Sequence, residues 1–242
     1  MLSFLLAGQS NMSGRGDVNA LCDISNENVF VLRENGIEIA REPVVRDFPF
    51  SGAGLSIAFA NAVHMMTGEK ILLIPASYGG SSLDQWKSGE KLFENAVSCA
   101  AHSFSHGATL SGILWHQGEA DSLSLALALS YNTRLTAVMG SLKKRIAEEA
   151  EKKNALHLIR QPLPVIAGEL GRYLSHHKQC IHSDIVNRQL HLFASGKPDC
   201  AVVSSKGLAD KGDTLHFSAE SLRILGIRYA SAWADIALTH PD

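Results

Sequence analysis

Charge is scarce in this sequence. Asp, Glu, Lys and Arg make up 19% of its 242 residues, and 22 basic against 24 acidic side chains leave a formal charge of −2. Holding nucleic acid or an anionic membrane surface through charge takes a basic excess, so neither partner is expected. Cysteine is equally thin: Cys22, Cys99, Cys180 and Cys200 stand far apart with no CxxC pair. A chain of this length builds a core without a disulfide framework, so free and mostly buried thiols are expected. No apolar run is long enough to span a bilayer. The opening MLSFLLAGQSN has no basic n-region, carries Ser3 inside its short apolar run and turns polar after Ala7. It reads as a buried strand rather than a signal peptide, and a cytoplasmic location follows as the expectation. Asn11-Met12-Ser13 is formally a glycosylation sequon, which matters only in a secretory compartment. No linker, repeat or low-complexity stretch divides the chain, so one domain over residues 1–242 is expected.

What the sequence does contain is a 45% hydrophobic composition arranged as short apolar runs alternating with helix-like segments. The runs are Leu2–Ala7, Lys70–Pro75, Gly112–Trp115, Val165–Ala167 and Ala201–Ser204, with a hairpin over Asn28–Ala40 turning at Asn35-Gly36. Helical spacing marks Gly54–Thr67, Lys91–His106, Ile185–Ala194 and Ala219–Leu238. A long stretch over Ser124–Lys153 carries the stripe Leu127, Tyr131, Leu135, Val138, Leu142 and Ile146. Its charged end, KKRIAEEAEKKN, reads as a solvated helix face. Continuous apolar strands alternating with helices predict a parallel sheet covered on both faces: an α/β, three-layer α/β/α sandwich of about five parallel strands.

In open α/β sheets, ligands bind beyond the carboxyl ends of the strands. Four polar clusters occupy those positions or lead into the last helix: Gly8-Gln9-Ser10-Asn11, Ala76-Ser77-Tyr78-Gly79-Gly80-Ser81-Ser82, His116-Gln117-Gly118-Glu119 and Gly212-Asp213-Thr214-Leu215-His216. A serine hydroxyl becomes nucleophilic when a base takes its proton and an acid orients that base. Of the eleven histidines only His216 has an aspartate three residues before it, a step that brings both side chains to one side of a turn. Ser10, His216 and Asp213 are therefore the candidate nucleophile, base and orienting acid. The serine is not in the GxSxG elbow of α/β-hydrolases, because Met12 stands where that motif has its second glycine.

Gly8-Gln9-Ser10-Asn11-Met12, Gly79-Gly80-Ser81-Ser82, Trp115-His116-Gln117-Gly118-Glu119 and Asp213-Thr214-Leu215-His216 resemble the ordered blocks of the SGNH hydrolase superfamily. The GQSNM and WHQGE forms resemble its branch of sialate O-acetylesterases and family 6 acetylxylan esterases, and Gly168-Glu169-Leu170-Gly171 resembles a further block. The likeness runs in order from Leu6 to about Tyr229. It implies a flavodoxin-like sheet, a cofactor-free and metal-free two-step ester hydrolysis, and a small acetylated carbohydrate as substrate, either an acetylated xylo-oligosaccharide or an O-acetyl sialic acid. It also implies that Ser10 attacks the acyl carbonyl, that His216 takes the proton and that Asp213 orients His216. The oxyanion would be held by the Ser10 amide, the Gly80 amide and the Gln117 side-chain amide.

Other residues carry open alternatives. Glu119 is a second acid partner for His216, a sugar contact, or a ligand that shapes its loop. Arg15 binds a substrate carboxylate or braces a loop against a neighbouring acid. Gln9 and Asn11 flank the nucleophile within reach of substrate. Trp86 stacks on a sugar ring or packs inward, and Trp115 belongs to the core. His176, His177 and His182 match no zinc template, and Gly79-Gly80-Ser81-Ser82 lacks the P-loop lysine. Two other classes compete: a short-chain esterase or lipase of the wider superfamily, and a non-catalytic carbohydrate-binding domain. The oligomeric state is not legible.

Overall fold

In the computed structural model, which describes residues 1–20 and 22–238, the apolar runs line up as one sheet. Its strands are β1 (Leu2–Gly8), β2 (Val29–Arg33), β3 (Gly36–Ile39), β4 (Ile71–Pro75), β5 (Thr109–His116), β6 (Val165–Gly168) and β7 (Cys200–Val203). Their spatial order is β3-β2-β4-β1-β5-β6-β7. The five strands read as the core lie in the order β4-β1-β5-β6-β7, all parallel, which is the flavodoxin-like order 2-1-3-4-5. The sheet is larger than the expected five strands because the hairpin joins it. Val29–Val31 pair in parallel with Ile71–Leu73, and β3 then closes the edge antiparallel to β2.

Among the described residues seven α-helices flank it: α1 (Ser10–Ser13), α2 (Ser56–Thr67), α3 (Lys91–Ser103), α4 (Leu125–Leu129), α5 (Tyr131–Lys152), α6 (Ser183–Ala194) and α7 (Ala219–Ala237). The unbroken apolar run of β1 follows from burial on both faces. Leu5 and Ala7 point into one core with α3, α5 and α6, while Phe4 and Leu6 point into the other with α2 and α7. On the second face Phe4 meets Phe59 and Trp233 edge to face, with centroids 4.8 and 5.2 Å apart. Trp233 also donates from its indole nitrogen to the Ser111 carbonyl at 2.9 Å. Such pairs add about 0.5–1.5 kcal/mol beyond area burial.

The long helix expected over Ser124–Lys153 breaks at Ser130. Its hydroxyl donates to the Ala126 carbonyl at 2.8 Å, and Arg134 takes the Leu127 carbonyl at 2.8 Å. The Leu127 carbonyl is thereby diverted from the helical ladder, while the Ala126 carbonyl still accepts the Ser130 amide at 3.2 Å. Of the four thiols, which are free, only Cys180 is buried, Cys99 and Cys200 are half-buried and Cys22 is exposed, so the expectation that most would be buried fails. Among the described residues no helix is long and apolar enough to cross a membrane.

Candidate active site

The polar clusters meet at the carboxyl ends of β4, β1 and β5, where the chain first winds one way from β1 and then the other, the switch point of this topology. β1 ends at Gly8, whose φ of +128° is in the region that favours glycine. A Cβ there would stand 2.1 Å from the His116 carbonyl oxygen. The close approach lets the Gln9 amide donate to that same oxygen at 2.9 Å and turns the chain into α1. Ser10 is the first residue of this single helical turn and is almost buried.

Two hydrogen bonds join Ser10 to the last loop. Ser10 Oγ lies 3.1 Å from His216 Nε2, and His216 Nδ1 lies 2.7 Å from Asp213 Oδ2. The second oxygen of Asp213 accepts the backbone N–H groups of Leu215 at 2.9 Å and His216 at 2.7 Å. Partial burial works to raise the Asp213 pKa, but these bonds outweigh it and hold the carboxyl below its ordinary range. An ionised Asp213 fixes the proton of His216 on Nδ1 and leaves Nε2 free to accept from Ser10. Burial lowers the His216 pKa below its ordinary value and the Asp213 contact only partly restores it, with Lys211 and Arg15 also lowering it. The imidazole is therefore neutral at neutral pH, the state of a general base. Thr214 sits in the left-handed region at φ +58°. It is held there by the Asp213 turn and by its own amide's 2.6 Å bond to Asp210, a local strain confined to the loop that aims His216.

Gly80 reaches φ +73° with open space where a Cβ would be, whereas a Cβ on Gly79 would strike Arg15, Phe48 and Asp47. Among the described residues the Ser10 and Gly80 amides donate to no other protein group. Gln117 departs from the expectation. Its side chain is fully buried and its amide nitrogen faces Asp121 Oδ2 at 2.6 Å, the Ser81 carbonyl at 3.0 Å and Gln9 Oε1 at 3.3 Å. Its two hydrogens have three acceptors already, so in this arrangement Gln117 braces the Gly80–Ser81 loop rather than facing substrate. Asp121, buried as well, also accepts from Leu83 N at 2.9 Å and Arg134 at 2.7 Å.

Beneath Ser10 lies a buried polar knot. Asn11 Nδ2 donates to Glu119 Oε1 at 2.5 Å and to the Leu215 carbonyl at 3.3 Å, while its Oδ1 accepts the Phe217 amide at 3.1 Å. Asn11 thus grips the backbone on either side of His216. Tyr229 donates its hydroxyl proton to the Trp115 carbonyl at 2.8 Å, so His116 Nδ1, 3.1 Å away, carries the proton between them and His116 Nε2 is bare. That nitrogen and Glu119 Oε2 have no partner, and Glu119 Oε1 is 3.9 Å from His116 Nε2. Burial raises the Glu119 pKa to about 7 against the Asn11 bond, with Asp121 adding repulsion, and burial lowers His116 to about 3. Burial therefore favours a protonated Glu119 beside a neutral His116, with no hydrogen bond between them.

The expectations at Gln9 and Asn11 are thereby corrected, and the alternatives at Glu119, Trp86 and Arg15 are narrowed. Glu119 makes no bond to His216 and is too buried for a sugar. Asn11 is wholly buried and fully engaged, so it is neither a substrate contact nor an accessible sequon. Gln9 turns its oxygen inward to the amides of Gly118 and Ala120, each at 3.4 Å. Trp86 is completely buried, donates to Ser81 Oγ at 3.1 Å and packs edge to face on Trp115, so it offers no face to a sugar. Arg15 takes its bracing alternative: it donates to Asp47 at 2.8 Å and to the Gly14 carbonyl at 2.7 Å, both side chains buried. His177 Nδ1 accepts the amides of Gln179 and Cys180, a loop-shaping role. Sequence reasoning passed over Asp47 and Asp121. Asp121 stands four residues after Gln117, a polar continuation of its block that was a usable signal; Asp47 sits in a loop with none.

This is the architecture of an SGNH-type ester hydrolase. Residues 2–235 match the family described as carbohydrate esterase, sialic acid-specific acetylesterase. A probable carbohydrate esterase of Arabidopsis thaliana is 30% identical over 255 residues, covering 95% of this chain and 89% of that protein. The crystal structure of an Arabidopsis thaliana protein superimposes with a TM-score of 0.81 at 27% identity, over 96% of this chain and 97% of the other. That of NanS gives 0.77 at 14% identity over 99% and 98%, a likeness of fold. The chain belongs to the carbohydrate esterase, sialic acid-specific acetylesterase family and is a carboxylic ester hydrolase.

Proposed function

We infer that the protein, acting as one esterase domain, hydrolyses O-acetyl esters of carbohydrates through an acyl-enzyme on Ser10. The observation that carries this reading is the unbroken line Ser10 Oγ–His216–Asp213, at 3.1 and 2.7 Å. Ser10 Oγ attacks the ester carbonyl as His216 Nε2 takes its proton, and Asp213 stabilises the imidazolium that results. The carbonyl oxygen becomes an oxyanion held by the Ser10 and Gly80 amides, each such donor contributing about 10²–10³ in turnover. As the tetrahedral intermediate collapses, the sugar alcohol leaves with the proton from His216. Water, deprotonated by the same imidazole, then attacks the acetyl-serine, acetate departs and Ser10 recovers its proton.

Acetate release from acetylated sugars, measured for wild type and Ser10→Ala, tests the reading. Loss of activity in Ser10→Ala with the fold retained supports it, as does acetyl-serine trapped at low pH by mass spectrometry. Equal inactivity of both proteins on every acetyl ester would instead make the chain a binding domain. A preference for p-nitrophenyl octanoate over the acetate would make it a lipase-like esterase.

A further inference from the structure

Three aromatic rings stand together on the loops that follow α1 and β4, and none of the steps above uses them. Phe48 and Phe50 stack with centroids 5.1 Å apart and planes within 7°, and Tyr78 tilts against Phe48 at 5.2 Å. Phe50 is 68% exposed and Tyr78 42%. Burial of an aromatic ring is favourable, so rings held facing water mark a surface that meets a ligand.

These rings are tied to the reacting groups. Tyr78 directly precedes Gly79-Gly80, and its amide donates to the Gly8 carbonyl at 2.9 Å. Asp47 accepts the Gly79 amide at 2.8 Å. Just after Phe50, Gly52 N donates to the Gly14 carbonyl at 3.1 Å, and Ala53 and Gly16 exchange bonds of 2.8 and 3.0 Å. The segment bearing Phe48 and Phe50 is thus bonded to the loop that leaves α1. Arg15 lies against both rings, 5.6 and 5.4 Å from their centroids, a distance at which the cation is attracted to the ring faces. Its charge is already met by buried Asp47.

We propose that Phe50 and Tyr78 form the subsite for the sugar ring that carries the ester. The apolar C–H face of a neutral pyranose stacks on this shelf while its acetyl group reaches Ser10. An acetylated sialic acid is the poorer ligand, because Arg15, the cation against Phe48 and Phe50, is buried and its charge is met by Asp47. The inference rests on the esterase reading and adds the class of sugar.

The test compares kcat/KM on an acetylated β-1,4-xylo-oligosaccharide, on an O-acetyl sialic acid and on ethyl acetate, which has no ring. Wild type should favour the xylo-oligosaccharide over the sialic acid. In Phe50→Ala and Tyr78→Ala the xylo-oligosaccharide to ethyl acetate ratio should fall about tenfold, mainly through KM, which is the loss of one stacked face. Phe50→Trp should restore it. An unchanged ratio in both alanine variants overturns the proposal, and so does a wild-type preference for the sialic acid. Sedimentation of Phe50→Ala as a smaller species than wild type also overturns it, by assigning the shelf to a contact between chains. In those cases activity on ethyl acetate leaves the esterase reading standing. No wild-type turnover of any of the three esters sinks both.

Discussion

Glu119→Gln separates the work of a buried carboxyl from that of a catalytic acid. In the folded protein the Glu119 pKa is raised from 4.5 to about 7 by burial. Between those values the folded state binds more protons than the unfolded one, so this residue's contribution is fully present below pH 4.5 and is lost as pH rises through 7. The shift corresponds to about 3 kcal/mol at pH 8, at about 1.4 kcal/mol per pH unit. Gln keeps the oxygen that accepts from Asn11 and presents an N–H where the protonated acid has its O–H. The variant should therefore match wild type near pH 5 and exceed it by up to about 3 kcal/mol at pH 8. For a chain of this size that is roughly 6–12 °C in melting temperature. Urea unfolding at the two pH values, with acetate release measured on the same samples, is the assay. A stability difference that does not change between pH 5 and 8 refutes the buried proton. A hundredfold loss of turnover in a well-folded variant refutes the assignment of Glu119 to Asn11 and returns it to the reaction.

The remaining predictions concern the groups around it. The acid limb of kcat/KM should have its midpoint below pH 6.5, because burial lowers the His216 pKa and activity is lost as the imidazole gains its proton; a midpoint above 6.5 in a pH–rate profile contradicts the geometry. Asp213→Asn should cut turnover by about 10²–10⁴-fold with little change in melting temperature, since it removes the acceptor that fixes the His216 proton. Asp121→Asn leaves Arg134 without its 2.7 Å partner and loosens the Gln117 brace. A loss of about 3–5 kcal/mol in denaturant unfolding is expected, and a loss under 1 kcal/mol would show that the buried pair is not needed. Trp233→Ala should cost about 3–5 kcal/mol, read from the same unfolding curves, by opening a cavity against Phe4.

The sheet was legible because its strands are apolar on both faces: Leu2–Ala7 and Lys70–Pro75 need helices on either side wherever they lie. The pairing of β2 with β4 was not, since a hairpin's turn chemistry specifies its own two strands and not which edge they join. Nor was the break at Ser130, where the Arg134 side chain takes the Leu127 carbonyl that would otherwise serve the helical ladder. At the site, Ser10 and the Asp213–His216 turn could be found because strand ends and local spacing are properties of the chain. Gln117 was misjudged and Trp86 stayed open between two readings because exposure is decided by whatever packs above a residue. Trp115 and Asp121, neither of them a sequence neighbour of Trp86, supply that cover.

By itself the sequence determined the order of strands and helices, the class of sheet and the hydroxyl, imidazole and carboxylate available for ester chemistry. These depend on periodicity and on which functional groups the chain owns. Only the tertiary structure decided which of the polar groups face substrate. Ser10 and His216 are 206 residues apart and meet because β1 and α7 pack into one core. Arg15, Asn11, Gln117 and Glu119 are drawn inward because each finds a hydrogen-bonding partner there, and a polar group is buried only where such a partner compensates for lost water. Phe50 and Tyr78 remain exposed on two separate loops, whose backbones bond to the chain leaving α1 and to Gly8 at the end of β1.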